Sequence, residues 1–266
     1  MDTRQAAVAA FAGVVLLAGA AGCGADGSAP PSGAAPVGTR SVPPAPSGAN
    51  GVDRLEPREI VDRSVQALKD GYSARAAGWI SDAEQEIAID LVLDTDADCT
   101  GVLSLGEAGS LQLVKSGATL WVKPDALFWA ARGTSDLARQ VGDRYLRTTE
   151  TDPDFADVAA LCDLVQFADS IGREGGTLSR GDRETVGGTP AIAVESSGTE
   201  DPGRLYVATE GRPYPLRLEK TGAELGRIDF TEFGVPVPTA VPSPEESVDL
   251  DQLRQGPGGA ESPQPV

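Results

Sequence analysis

Few residues in this chain have covalent or acid–base chemistry to offer. Three cysteines, Cys23, Cys99 and Cys162, stand in 266 residues that contain no histidine. Without histidine, Ser-His-Asp and Cys-His catalysis, His-containing zinc sites and the usual general base near neutral pH are excluded. Asp94, Asp96 and Asp98 occupy alternate positions, like the opening of a calcium loop. Its sixth position is Cys99 where such a loop has Gly, and its twelfth is Leu105 where it has Glu. These carboxylates read as a solvated loop. No Gly-x-Ser-x-Gly elbow, phosphate-binding loop or dinucleotide fingerprint occurs, and no carboxylate pair is spaced for acid–base work. The expectation is a protein without catalytic residues, metal or cofactor.

Cys23 has the most informative surroundings. An apolar run from Ala6 to Leu17 ends in small residues, with Gly22 immediately before the cysteine. The run suits the core of a secretory signal and is too short to span a bilayer, which takes about 20 apolar residues. The segment Leu17-Ala18-Gly19-Ala20-Ala21-Gly22-Cys23 resembles a bacterial lipobox. That resemblance implies a signal peptide over 1–22, acyl chains of the palmitate class on Cys23, and an anchor on the extracytoplasmic face of the cell membrane. An ordinary secretory signal with a chance cysteine is the alternative. Residues 23–52 are mostly Ala, Gly, Ser and Pro and read as a disordered tether reaching on the order of 30 Å.

With Cys23 acylated, Cys99 and Cys162 remain as an even pair in an oxidising compartment, which favours a disulfide over two buried thiols. The formal net charge of -18 repels nucleic acid and anionic lipid head groups. Membrane attachment would therefore rest on covalent lipid and not on basic residues.

The elements that position these groups follow from periodicity. A folded domain is expected over 53–250, with a disordered tail over 251–266. Ile60, Val61, Ser64, Val65 and Leu68 predict a helix over 57–70, with Pro57 in its first turn. Alternation of Ile87, Ile89, Leu91 and Leu93 predicts a strand with one buried face. Strands are expected at 73–79, 101–105, 111–115 and 119–123, separated by Gly-containing turns. Short helices are expected near 127–130 and 137–141, a brief extended piece at 145–148, and one long helix over 153–171. Further strands are expected at 177–186, 191–196, 204–208, 216–220 and 227–233.

This order of elements resembles the bacterial lipoprotein carriers of the LolA/LolB type, and more closely the actinobacterial lipoproteins of the LppX/LprG kind. The likeness is carried by the helix around 59–68, by Leu120-Trp121-Val122-Lys123 followed by Phe128-Trp129, and by the closing run Ile228-Asp229-Phe230-Thr231-Glu232-Phe233-Gly234-Val235-Pro236-Val237. It implies an α+β fold: a strongly curved antiparallel sheet, or half-open barrel, with helices over its concave face and an apolar cavity between. It also implies a lipid or lipoglycan ligand, because several members bind acylated lipids and move them outward. Ile89, Leu91, Leu120, Phe128 and Phe155 are the lining candidates by face and position. The expected function is a non-catalytic, lipid-anchored envelope protein that binds or carries an acyl-chain ligand. The alternative is an envelope scaffold or sensor partner with a filled core and no ligand.

Overall fold

The chain folds around α1 (Pro57–Asp70), which starts with Pro57 at its first position and buries Ile60, Val61, Ser64, Ala67 and Leu68. The computed structural model describes residues 48–81, 86–173, 176–198, 202–223, 225–238 and 240–255, all within the unit Val42–Val266. Cys23 and the signal and tether as far as residue 47 lie outside the described residues.

After α1 the chain forms a meander: β1 (Ser73–Ser81), β2 (Glu86–Asp94), β3 (Cys99–Ser104), β4 (Ser110–Ser116) and β5 (Thr119–Pro124). Two short helices follow, α2 (Ala126–Ala131) and α3 (Ser135–Val141), and then β6 (Tyr145–Thr149). Next come α4 (Ala156–Ala160) and α5 (Leu164–Arg173). A second meander comprises β7 (Thr177–Val186), β8 (Thr189–Ser197), β9 (Gly203–Ala208), β10 (Pro215–Thr221) and β11 (Leu225–Thr231). The last elements are β12 (Ser247–Asp249) and α6 (Leu250–Gln255).

All twelve strands form one sheet in the order β12-β6-β5-β4-β3-β2-β1-β11-β10-β9-β8-β7. Antiparallel pairing of β1 with β11 joins the two meanders. The edges, β12 and β7, do not meet, so the sheet is a half-open barrel with helices over its concave face. The pairing is antiparallel except at one edge, where β12 runs parallel to β6. Curvature is marked by glycines. A Cβ on Gly78 would lie 1.9 Å from the carbonyl oxygen of Arg227, and one on Gly101 would lie 2.0 Å from that of Asp90. Only glycine allows the strands to approach so closely there.

Period-two alternation sorts the faces. Ala74, Ala76, Leu91, Leu93, Leu113, Leu120, Val122, Ile228 and Phe230 turn inward and join α1 and α5 in one core. Outward positions carry ion pairs such as Arg75–Asp90, a fork with both N···O contacts at 2.7 Å, and Arg217–Asp229 at 2.5 Å.

The structure corrects several sequence expectations. The single helix over 153–171 is two helices. Asp163 breaks it by acting as a cap, its carboxylate accepting from the backbone N–H of Gln166 and from the Gln166 side chain, each at 2.8 Å. The last strand of the second meander ends at Thr231 rather than 233, because Glu232 turns the chain with φ 52°. The tether was expected to reach residue 52, yet Asn50 donates its side-chain N–H to the carbonyls of Ala208 and Gly211, and Val52 is buried. The domain also continues beyond 250. Leu253 of α6 packs against the core, and Arg254 forms a two-pronged ion pair with Asp152 at 2.6 and 3.0 Å.

Candidate functional site

Along β2 the inward residues change character. Leu91 and Leu93 are sealed at 1% exposure, whereas Ile87 and Ile89 on the same face are only partly buried. The difference arises overhead. α1 spans β1 and β7 to β10, and α5 packs on α1 and reaches β2. Beyond them the short helices α2, α3 and α4 lie over the sheet, with α6 at one side.

Between that roof and the sheet lies a cavity of about 790 Å³. Its floor includes Ile87, Ile89, Leu103, Leu111, Leu146 and Ile228. Its roof includes Phe128 and Trp129 of α2, Leu137 of α3, Phe155 and Val158 around α4, and Phe167 of α5. Leu250 of α6 closes one side. The polar lining residues are Arg132, Thr134, Asp154 and Asp157. A void of this size with so few polar groups is the chemistry of a site for an apolar ligand.

Three devices hold the roof. Asp125 caps α2: its Oδ1 accepts from the Phe128 N–H at 2.7 Å and its Oδ2 from the Ser110 hydroxyl at 2.8 Å. Burial alone would raise the Asp125 pKa, but these hydrogen bonds prevail and hold it below the usual carboxylate range. Cys99 and Cys162 form a disulfide with a Cα–Cα distance of 5.3 Å, tying the start of β3 to the break between α4 and α5. Arg254 of α6 holds Asp152 as described and reaches Asp154 at 2.5 Å. Hydrogen bonding from Arg254 dominates the environment of Asp152. With help from the Asp154 N–H and Thr148, and against burial, it brings that carboxyl down to about 2.

The five lining candidates divide. Ile89, Phe128 and Phe155 line the cavity. Leu91 and Leu120 do not; they lie sealed in the core at 1% and 0% exposure. Facing inward from the sheet was a sound reason to select them, but position along the strand decides between cavity and core. Sequence reasoning missed Arg132, Thr134 and Leu250. The first two sit in a polar turn between two short helices, and the third was placed at a domain boundary. Contrary to the sequence expectation, the aspartates of the β2–β3 loop are not all solvated: Asp94 is buried at 4% exposure, and Asp96 accepts from the Tyr72 hydroxyl at 3.3 Å. Asp94 Oδ1 accepts from the N–H groups of Asp96 at 2.9 Å and Asp98 at 3.0 Å, and Asp98 Oδ1 accepts from Gly117 at 2.7 Å. No helix among the described residues is long and apolar enough to cross a membrane.

The half-open sheet with helices and a cavity on its concave side is the architecture expected from the LolA-like and LppX/LprG-like resemblance. No family model matches the chain, and no curated protein matches it. Among solved structures, it is similar to LprF from Mycobacterium bovis, with 11% identity over 71% of this chain and 96% of that one and a TM-score of 0.49. It is also similar to the Mycobacterium tuberculosis lipoprotein LppX, with 12% identity over 69% and 97% and a TM-score of 0.48. MucB in its complex with MucA(peri) shows 13% identity over 71% of this chain and 58% of MucB, with a TM-score of 0.34.

Proposed function

We propose that this chain is a cell-envelope protein, anchored through acylated Cys23, that binds or carries an acyl-chain ligand in the cavity beneath α2, α3 and α4. One observation carries the reading: a predominantly apolar cavity on the concave side of the sheet that the chain's own side chains leave unfilled. At about 790 Å³ the cavity lies within the range of roughly 300–1,000 Å³ typical of small-molecule sites, a size suited to an acyl-chain ligand.

The cavity over β2 to β6 favours this reading over the filled-core alternative, which fits the half of the sheet under α1. The reading assigns no catalytic step. The chain acts by desolvating an apolar ligand, and Ile89, Phe128 and Phe155 supply contact area. Anchoring at Cys23 would place the cavity at the outer face of the membrane, within a tether's reach of lipid. The Cys99–Cys162 bond would keep the roof in place outside the reducing cytoplasm.

Native mass spectrometry tests the proposal. The chain from residue 24 onward, secreted without its anchor and purified without detergent, should carry a reproducible added mass that organic solvent releases as lipid. A clean unliganded mass, with no uptake of added fatty acid or phospholipid, would refute it.

A further inference from the structure

The cavity accounts for an apolar tail but leaves the other end of the ligand unassigned. The lining contains one cation. The chain has 40 Asp and Glu against 22 Lys and Arg, so arginines are heavily engaged by carboxylates. Arg75, Arg147, Arg204, Arg217, Arg227 and Arg254 all make such pairs. Arg132 does not: among the described residues no carboxylate lies within ion-pair distance of it. Its guanidinium stacks instead over Phe128, with Cζ 3.5 Å from the ring centroid. Stacking fixes the plane of the group and leaves its edge N–H donors free.

Two residues further on, Thr134 stands at the start of α3, where a threonine hydroxyl usually accepts a bond from the helix backbone. Here it makes no such bond. Its Oγ1 is buried without a partner, a condition shared among the described residues only with Trp121 Nε1, and it lines the same cavity as Arg132. A buried hydroxyl without a partner costs stability, so its survival in an apolar wall asks for an acceptor.

We infer that Arg132 and Thr134 form the head-group site of the cavity and select amphiphiles with a carboxylate or phosphate at the polar end. The inference rests on the acyl-chain reading above. A planar fork and a hydroxyl donor match the oxygens of either anion. Of the two lining carboxylates, Asp154 is already engaged by Arg254, and Asp157, exposed like Arg132, is the one whose competition the test below must exclude.

Displacement of the uncharged dye Nile red from the mature chain tests the assignment. The competitors are palmitate, palmitoyl lysophosphatidate, monopalmitoylglycerol and hexadecylamine, each below its micelle concentration. The anions should displace the dye at concentrations about tenfold lower than the glycerol ester, the scale of a charge-assisted hydrogen bond. Arg132→Gln should bring that ratio to near one, Thr134→Val should lower it in part, and Arg139→Gln, on α3 outside the lining, should leave it unchanged. The tighter of palmitate and lysophosphatidate identifies which anion the site takes. Equal midpoints for anionic and neutral competitors, or a ratio that survives Arg132→Gln, overturn the head-group site while leaving the cavity reading intact. Tightest binding of hexadecylamine also overturns it and assigns the polar end to Asp157. If the dye does not bind and no competitor is taken up, the cavity reading itself falls.

Discussion

Leu91 and Ile89 face the same side of one strand, yet shortening them should have very different costs. Leu91→Ala removes three carbons from a site exposed by 1%, packed on every side. Such a change costs about 2–5 kcal/mol, because lost transfer energy is joined by a new void. Ile89→Ala removes the same number of carbons from the wall of a void that already exists. Contacts on one side are absent before the mutation, so the cavity penalty largely disappears and about 2 kcal/mol of transfer energy remains. For a domain of this size each kcal/mol shifts Tm by about 2–4 °C. Leu91→Ala should therefore lower Tm by about 7–14 °C near the middle of its range, and Ile89→Ala by about 4–8 °C. Enlarging the side chain should reverse the contrast. Ile89→Trp should fold and lose Nile red binding, whereas Leu91→Trp should overpack the core and destabilise the fold. Urea titration of the ligand-free protein gives the same comparison through midpoints at constant slope. Equal destabilisation by the two alanine variants would falsify the cavity, since it would mean that Ile89 is as tightly surrounded as Leu91.

Three further outcomes are expected. Replacing Cys99 and Cys162 together by Ala should lower stability by up to about 4 kcal/mol, from the chain entropy of a closed loop with sequence separation 63, measured as a fall in the urea midpoint. Asp152 is held down to about 2 by Arg254, so its contribution is present above its ordinary value of 3.8 and is lost as pH falls through about 2. Acid titration of wild type should show about 1–2 kcal/mol disappearing in that window, discounted for the partial exposure of Arg254, and Asp152→Asn should flatten it. Thr134→Val removes a buried hydroxyl that has no partner, and should raise the melting temperature of the ligand-free protein by a few degrees.

Most of the fold was legible because its signals are local. The 57–70 helix shows helical spacing and an N-terminal proline, and β2 alternates strictly, so both emerge from the residues alone. The break at 161–163 was hidden because Val158, Cys162, Val165 and Ile171 continue one apolar stripe through it. Only the position of Asp163 within that stripe marked a second start. β12 and α6 were missed for a different reason. Three residues of parallel pairing and one helical turn and a half have no propensity signal, and they are held by distant partners in Asp152 and the cavity wall. The site was half legible. Alternation shows which residues face inward but not how far along the sheet the helices reach, and that reach separates Ile89 from Leu91. Arg132 and Thr134 gave no signal because their meaning depends on what they lack: a carboxylate for one and a backbone partner for the other.

The cavity's location follows from how the chain divides its stabilising work. One half of the concave face is closed by α1, a helix of 14 residues with five buried side chains, and that packing can hold the domain together. The other half is roofed by α2, α3 and α4, of six, seven and five residues, too short to be stable by themselves. A roof over a void also lacks the packing enthalpy that would fix it from below. All of the roof but α3 is therefore fastened at its edge by an interaction that needs no filled core. Asp125 caps α2, the Cys99–Cys162 bond holds the junction of α4 and α5, and Arg254 clasps the turn before α4 through Asp152 and Asp154. Such fastening holds the roof over a cavity that its own side chains leave unfilled. The α2–α3 turn is held differently: Gly133 and Thr134 donate backbone N–H groups to Ala130 and Trp129, and Arg132 stacks on Phe128, so the part of the roof that presents the cation is tied to α2.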